Sequence, residues 1–165
     1  MKKLPKANKQ KLLNQILDSL RESLAVLEKA ARASHAEATH ESSKAENKYD
    51  TRGLEAAYLA GGQARQAAEI AASIEQYESL TLQTFGSGAA VDVTALVEPE
   101  SDGGRNTFFI GPRNGGLEVE HQGREVTVLT PQSPLGQILM GKQAGQRWSA
   151  KVGGALIKYH IVEMV

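Results

Sequence analysis

Glu46, Asp50 and Glu55 place three carboxylates within ten residues. Glu46 and Asp50 are four apart and share a face if the segment is helical. Carboxylate oxygens are the ligands that hard divalent cations take; the plainer reading is solvated charge at a chain reversal. Interleaved with them, Lys44, Lys48 and Arg52 recur every four residues. Such a stripe can hold phosphates through charge-assisted hydrogen bonds, or it can pair with Glu41 and face water. Lys2, Lys3, Lys6, Lys9 and Lys11 form a second basic cluster, which reads as a frayed, solvated terminus. Gln132-Ser133-Pro134 opens a short helix, with Ser133 as cap and Pro134 in the first helical position.

Other residue types offer less. His35 and His40 are five apart, so they do not share a helical face as a metal pair would, and His121 and His160 stand alone in strand-like runs. The expectation is that the isolated protein has no metal site and no cofactor of its own. Gly103-Gly104, Gly115-Gly116 and Gly153-Gly154 read as turns, because none opens a helix after a strand as a phosphate loop does. No Ser-His-Asp set follows from spacing.

The elements that position these residues divide the chain in two. Residues 1–82 hold three of the 16 glycines, and no proline falls between Lys6 and Glu98. Leu13, Leu17, Leu20, Leu24, Leu27, Ala31, Ser34, Ala38 and Ala45 follow a 3.5-residue repeat, the seam of a helix packed on a partner helix. A second seam runs Ala56, Ala60, Gln63, Ala67, Ile70, Ile74, Tyr77. The first seam goes from large to small and the second from small to large. An antiparallel hairpin with its tip near 48–54 therefore sets small against small near the turn and large against large at the base. Arms of roughly 30–40 residues reach about 45–60 Å.

The second half is rich in Gly, Val and Thr. It predicts strands at Ala89–Val97, Arg105–Ile110, Gly116–His121, Arg124–Leu129, Gln146–Val152 and Ala155–Met164, with a short helix at Ser133–Met140. The expected fold class is α+β. A helical hairpin (coiled coil) occupies 1–82, and a small, mainly antiparallel β domain occupies 83–165.

Composition narrows the function. Nineteen Lys plus Arg balance nineteen Asp plus Glu, which argues against a strongly basic, freestanding nucleic-acid binder. The absence of cysteine excludes disulfides, thiolate metal sites and cysteine nucleophiles. No run approaches 18 apolar residues and no signal core follows the basic N-terminus, so the expectation is a cytoplasmic protein without a membrane partner. The internal match of the two seams favours a monomer over an oligomerising coiled-coil adaptor.

Three segments carry a resemblance: TPQSPLGQILMGKQAGQ at 130–146, VGGALIKYHIVEMV at 152–165 and FGSGAAVDV at 85–93. With the hairpin before them, the chain resembles the GreA/GreB family of bacterial transcript cleavage factors over nearly its whole length. The resemblance implies that the β domain is FKBP-like and docks on the rim of the RNA polymerase secondary channel, with Gln132, Ser133 and Pro134 in contact. It implies that the coiled coil enters the channel, where acidic tip residues help hold a second Mg²⁺ in the polymerase active site beside the RNA 3′ end. Backtracked RNA is then cleaved by the polymerase, so the factor stimulates a reaction and is not itself an enzyme. On this resemblance Asp50, Glu55 and Glu46 are the catalytic candidates, and Lys44, Lys48 and Arg52 the RNA-binding ones.

The tip departs from the family pattern. Ala56 and Tyr58 match its Ala-x-Tyr end, and anchored there the family's Asp falls on Thr51 and its Glu on Leu54. Asp50 and Glu55 stand one residue away on either side. Two alternatives follow: a factor that occupies the channel without cleavage, or a peptidyl-prolyl isomerase of the FKBP type. The second is disfavoured because the β half holds only Phe85, Phe108, Phe109, Trp148 and Tyr159 for an aromatic pocket.

Overall fold

The computed structural model of the chain describes residues 8–40 and 51–165. Their elements run α1 (Lys9–Thr39), α2 (Arg52–Glu78), β1 (Leu96–Ser101), β2 (Gly104–Arg105), β3 (Thr107–Ile110), β4 (Glu118–His121), β5 (Arg124–Leu129), α3 (Pro134–Leu139), β6 (Arg147–Val152) and β7 (Ala155–Met164). A helical hairpin is thus followed by a β domain built on a mixed sheet. The chain separates into two compact units. One is Leu17–Glu75; the other joins the start of α1 to Gln76–Val165.

In the first unit the two seams face each other. Leu24, Leu27, Ala31, Ser34 and Ala38, with Ala30 beside them, are the half-buried positions of an otherwise exposed stretch of α1. On α2 the seam positions Ala56, Ala60, Gln63, Ile70 and Ile74 are half-buried too, and Ala67 is buried. Two cross-contacts fix the direction. The Ser34 hydroxyl donates to Gln63 Oε1 at 2.9 Å, and Leu27 lines one groove with Gln66 and Ile70. Residues later in α1 therefore meet residues earlier in α2, as an antiparallel pair requires.

In the second unit the sheet order is β4-β5-β3-β1-β7-β6, with β2 paired to β1. Every pairing is antiparallel except β3 with β5, which is parallel in the register Phe108↔Thr127 and Phe109↔Val128. Cross-strand partners share a face and neighbours along a strand alternate. Val97 and Phe108 are partners. They face an apolar cluster of Phe85, Val91, Ile110, Leu139 of α3 and Ile161, on which Trp148 also packs. Leu96 and Phe109 face the other way and are equally buried. On that side the Tyr77 hydroxyl and Val128 crowd the Cα of Gly111, so a Cβ there has no room. Leu12 and Ile16, in the first turns of α1, have no exposed surface. Each such side chain contributes about 1.5–3 kcal/mol through burial.

Two expected strands differ from those observed. Ala89–Val97 alternates like a strand, but before Leu96 only Ala90 makes a bridge, to Gln143. The Asp92 carbonyl accepts the Ala95 N–H at 3.0 Å and Thr94 has φ of 75°, which turns the chain before β1 starts. β1 instead runs through Pro99, which sits where the register with β7 shifts, a position that tolerates a missing N–H. The expected strand at Arg105–Ile110 breaks at Asn106 into β2 and β3. The turns fare as read: Gln122-Gly123 (φ 55° and 74°) and Gly153-Gly154 (φ 56° and 85°) have the paired positive φ of type I′ hairpins.

Candidate functional site

The α1–α2 end of the hairpin holds the first set of candidates. Glu46 and Asp50, with Lys44 and Lys48, lie outside the described residues. Arg52 and Glu55 lie within the first turn of α2, both exposed. A carboxylate there is favoured by the positive end of the helix. The Thr51 hydroxyl donates to Glu55 Oε1 at 3.0 Å, and the Glu55 N–H donates to the Thr51 carbonyl at 2.9 Å. These contacts orient the side chain and leave most of it open to solvent. A lone exposed carboxylate can lend one or two oxygens to a cation held mainly by other groups. Beside it Leu54, Tyr58 and Leu59 are more than half exposed, although all three are apolar or aromatic.

The second set is Gln132-Ser133-Pro134 at the start of α3. Ser133 is the N-cap, with φ −64° and ψ 153°, and Pro134 takes the first helical turn. The Ser133 hydroxyl accepts the Gly136 N–H at 3.0 Å and donates to the Thr130 carbonyl at 2.8 Å. Gln137 Nε2 donates to the Gln132 carbonyl at 3.1 Å. Gly136 is required. A Cβ on it would overlap the Thr130 carbonyl oxygen and lie 2.7 Å from Ser133 Oγ. The Gln132 and Pro134 side chains are exposed, while the Ser133 hydroxyl is used within the loop. The tip residues and this turn belong to different units.

A third group was not legible as functional chemistry. Lys9, expected in a solvated terminus, is only 7% exposed. Its ammonium donates to the Gln83 and Thr94 carbonyls and lies 4.7 Å from the centroid of the Phe85 ring. Burial pushes its pKa down to about 8. Thr94 is held at its left-handed φ from three sides: its N–H donates to the Ile110 carbonyl, its hydroxyl accepts the Gln83 N–H, and its carbonyl takes Lys9. His121 is buried against α1, its Nδ1 at 2.5 Å from Gln15 Oε1. Burial first, and the positive charge of Lys11 second, lower its pKa. The only advance signal for Lys9 was its place at the head of a strongly apolar seam.

Among the described residues no group of three or more His, Asp or Glu could hold a metal ion, and no helix is long and apolar enough to cross a membrane.

No protein-family model and no curated protein matches the chain. Among solved structures it is similar to GreA factor homolog 1 (Gfh1) of Thermus thermophilus, at 24% identity over 99% of this chain and 97% of that one, with a TM-score of 0.36. It is similar to Gfh1 of Thermus aquaticus at 22% identity over 98% and 96%, also with a TM-score of 0.36. A prokaryotic transcription elongation factor GreA/GreB from Nitrosomonas europaea follows at 18% identity, over 62% of this chain and 78% of that one, with a TM-score of 0.31.

Proposed function

We propose that the protein regulates transcription elongation by binding the secondary channel of a bacterial RNA polymerase and stimulating the polymerase's cleavage of backtracked RNA. One observation carries the reading. An antiparallel helical hairpin presents a solvent-exposed carboxylate, Glu55, in the first turn of α2, and the same chain displays a capped Gln-Ser-Pro turn on its β domain. The resemblance of residues 130–146 to the cleavage factors joins these two features in one mechanism. The turn docks on the polymerase rim, and Glu55 with Asp50 and Glu46 reaches the active site. There the carboxylates complete the oxygen shell of a second Mg²⁺, which belongs to the polymerase and stabilises the attacking or leaving oxygen. Arg52 with Lys44 and Lys48 holds the RNA 3′ end. The protein acts as a monomer, and the polymerase makes and breaks the bonds.

A second reading is favoured by the exposed Leu54, an apolar side chain where the family pattern has its Glu. In that reading the hairpin fills the channel and no cleavage follows. An isomerase fits less well, because Phe85 and Phe109 are core side chains and Tyr159 is buried in a stack on Trp148.

The test uses stalled, backtracked polymerase complexes with the protein added, and the RNA is resolved on a gel. Shortened RNA supports cleavage, and the double variant Asp50→Asn, Glu55→Gln is expected to lose at least tenfold in rate while still binding. Full cleavage by the double variant removes the carboxylates from the mechanism. Tight binding without cleavage by the natural chain selects the occupying mode.

A further inference from the structure

Charge is unevenly spread over the β domain. Residues 126–162 contain no Asp or Glu but include Lys142, Arg147, Lys151 and Lys158. This acid-free stretch folds into α3 and the β6–β7 ribbon. In the ribbon Arg147 pairs with His160, Ser149 with Lys158 and Lys151 with Leu156. Paired residues share a face and alternate residues return to it. Arg147, Lys158 and Lys151 therefore line one face as a zigzag, at diagonal steps of roughly 7–8 Å, and all three are exposed. Where β7 meets β1, the Glu100 carboxylate is shared by Arg105 at 3.5 Å and His160 at 3.8 Å. Asp102 also rims the shallow depression of about 520 Å³ that Arg147 and Lys158 line. Toward the ribbon's tip, residues 149–158 include no carboxylate; Ser149, Ala150, Gly153, Gly154 and Ala155 are small, while Val152 and Leu156, the partner of Lys151, are exposed apolar side chains.

We infer that the β6–β7 ribbon is a binding surface for the phosphate backbone of duplex DNA. The occupant follows from charge and shape. Three cations in a row match a polyanion. A two-stranded ribbon with a slim, glycine-tipped end fits the major groove of B-form DNA, which is about 12 Å wide, whereas the major groove of A-form RNA is deep and narrow. The contacts go to phosphates, so binding is independent of base sequence. This surface is separate from the tip and from the Gln132–Pro134 turn, and it does not depend on the polymerase reading.

The test is fluorescence anisotropy of a labelled 20-base-pair duplex DNA titrated with the full chain at several salt concentrations. Three phosphate contacts give a slope of log affinity against log salt of about −2.7, or roughly 40-fold weaker binding at 200 mM than at 50 mM salt. The triple variant Arg147→Gln, Lys151→Gln, Lys158→Gln is expected to keep its melting temperature and lose most of the affinity and of this slope. Each single variant should reduce the slope by about 0.9. No binding by the natural chain at 50 mM salt overturns the inference. So does a triple variant with unchanged affinity and slope, which assigns binding to another basic cluster such as the N-terminal lysines. Duplex RNA bound equally well overturns the groove fit, and poly-glutamate bound equally well through the same three residues makes the surface an acidic-polypeptide site instead.

Discussion

Replacing Gly136 by Ala puts one methyl group where the structure has no space. The new Cβ would overlap the Thr130 carbonyl oxygen and sit 2.7 Å from Ser133 Oγ. The loop and the helix must separate. That breaks the Gly136 N–H to Ser133 Oγ bond, which is the helix cap, and the Ser133 hydroxyl bond to Thr130. Losing the cap costs about 1 kcal/mol and the second bond about 1 more. Residual crowding against backbone adds about 1–3 kcal/mol. Alanine recovers up to about 1 kcal/mol of helix propensity. The net expectation is a loss of about 3 kcal/mol, against about 1 for Ser133→Ala, which removes the cap without a clash. The chain's single tryptophan, Trp148, packs on the same apolar cluster as Leu139 of α3, so its fluorescence reports on this unit. Urea unfolding followed at that residue compares the three proteins directly. A Gly136→Ala variant within 0.5 kcal/mol of the natural chain, or no worse than Ser133→Ala, would falsify this account of the turn.

Further expectations concern buried polar groups. Lys9 titrates at about 8 when folded and at 10.5 when exposed, so the unfolded chain binds the extra proton between those values, and stability should rise with pH from about 8 to 10.5. Denaturation across that range should show the rise in the natural chain and its absence in Lys9→Met. His121 is also depressed, but from 6.5, so its contribution is present above that pH and lost on acidification. Thermal melts between pH 8 and pH 5 should fall more steeply for the natural chain than for His121→Gln. Tyr77 has no exposed surface and its hydroxyl donates to the Arg113 carbonyl at 2.6 Å, so Tyr77→Phe should cost about 1 kcal/mol in urea unfolding.

The parts read well from sequence are those where the local pattern and the tertiary contact agree. The seams of the hairpin are visible because a 3.5-residue repeat has only one physical use, and Ser34 does meet Gln63 across it. The capped turn at Ser133 and the two positive-φ hairpin turns are likewise set within a few residues. What failed is non-local. The parallel pairing of β3 with β5 is not legible because β3 is only four residues long, and its apolar run Phe108-Phe109-Ile110, covered on both faces, does not reveal strand direction. Ala89–Val97 has the right alternation, yet before Leu96 the N–H and C=O groups of Val91, Thr94 and Ala95 go to Lys142, Gly141 and Ile110 instead of to a ladder. Lys9 illustrates the limit for single residues. A lysine among lysines looks solvated until two carbonyls 74 and 85 residues away converge on its ammonium. At the tip, the spacing of Glu55 from Ala56 and Tyr58 was legible, and Thr51 as its hydrogen-bond donor was not.

The order of strands in the sheet also sets an order in time. β7, which follows β1 to β6 in the sequence, lies between β1 and β6, and Val165 just after it exchanges two hydrogen bonds with Leu96. The first turns of α1 belong to the same unit. The contacts between α1 and α2, such as Ser34 with Gln63, involve only residues before Glu78 and can form while the rest of the chain is still being synthesised. The sheet must wait for β7 and then pair it with β1, more than 50 residues earlier, a high-contact-order step that is slower by nature. During synthesis the chain therefore passes through an interval in which the helices are made and the cluster around Val97 and Ile110 still lacks Ile161 and Met164. That interval, more than the folded protein, is where aggregation and proteolysis should act.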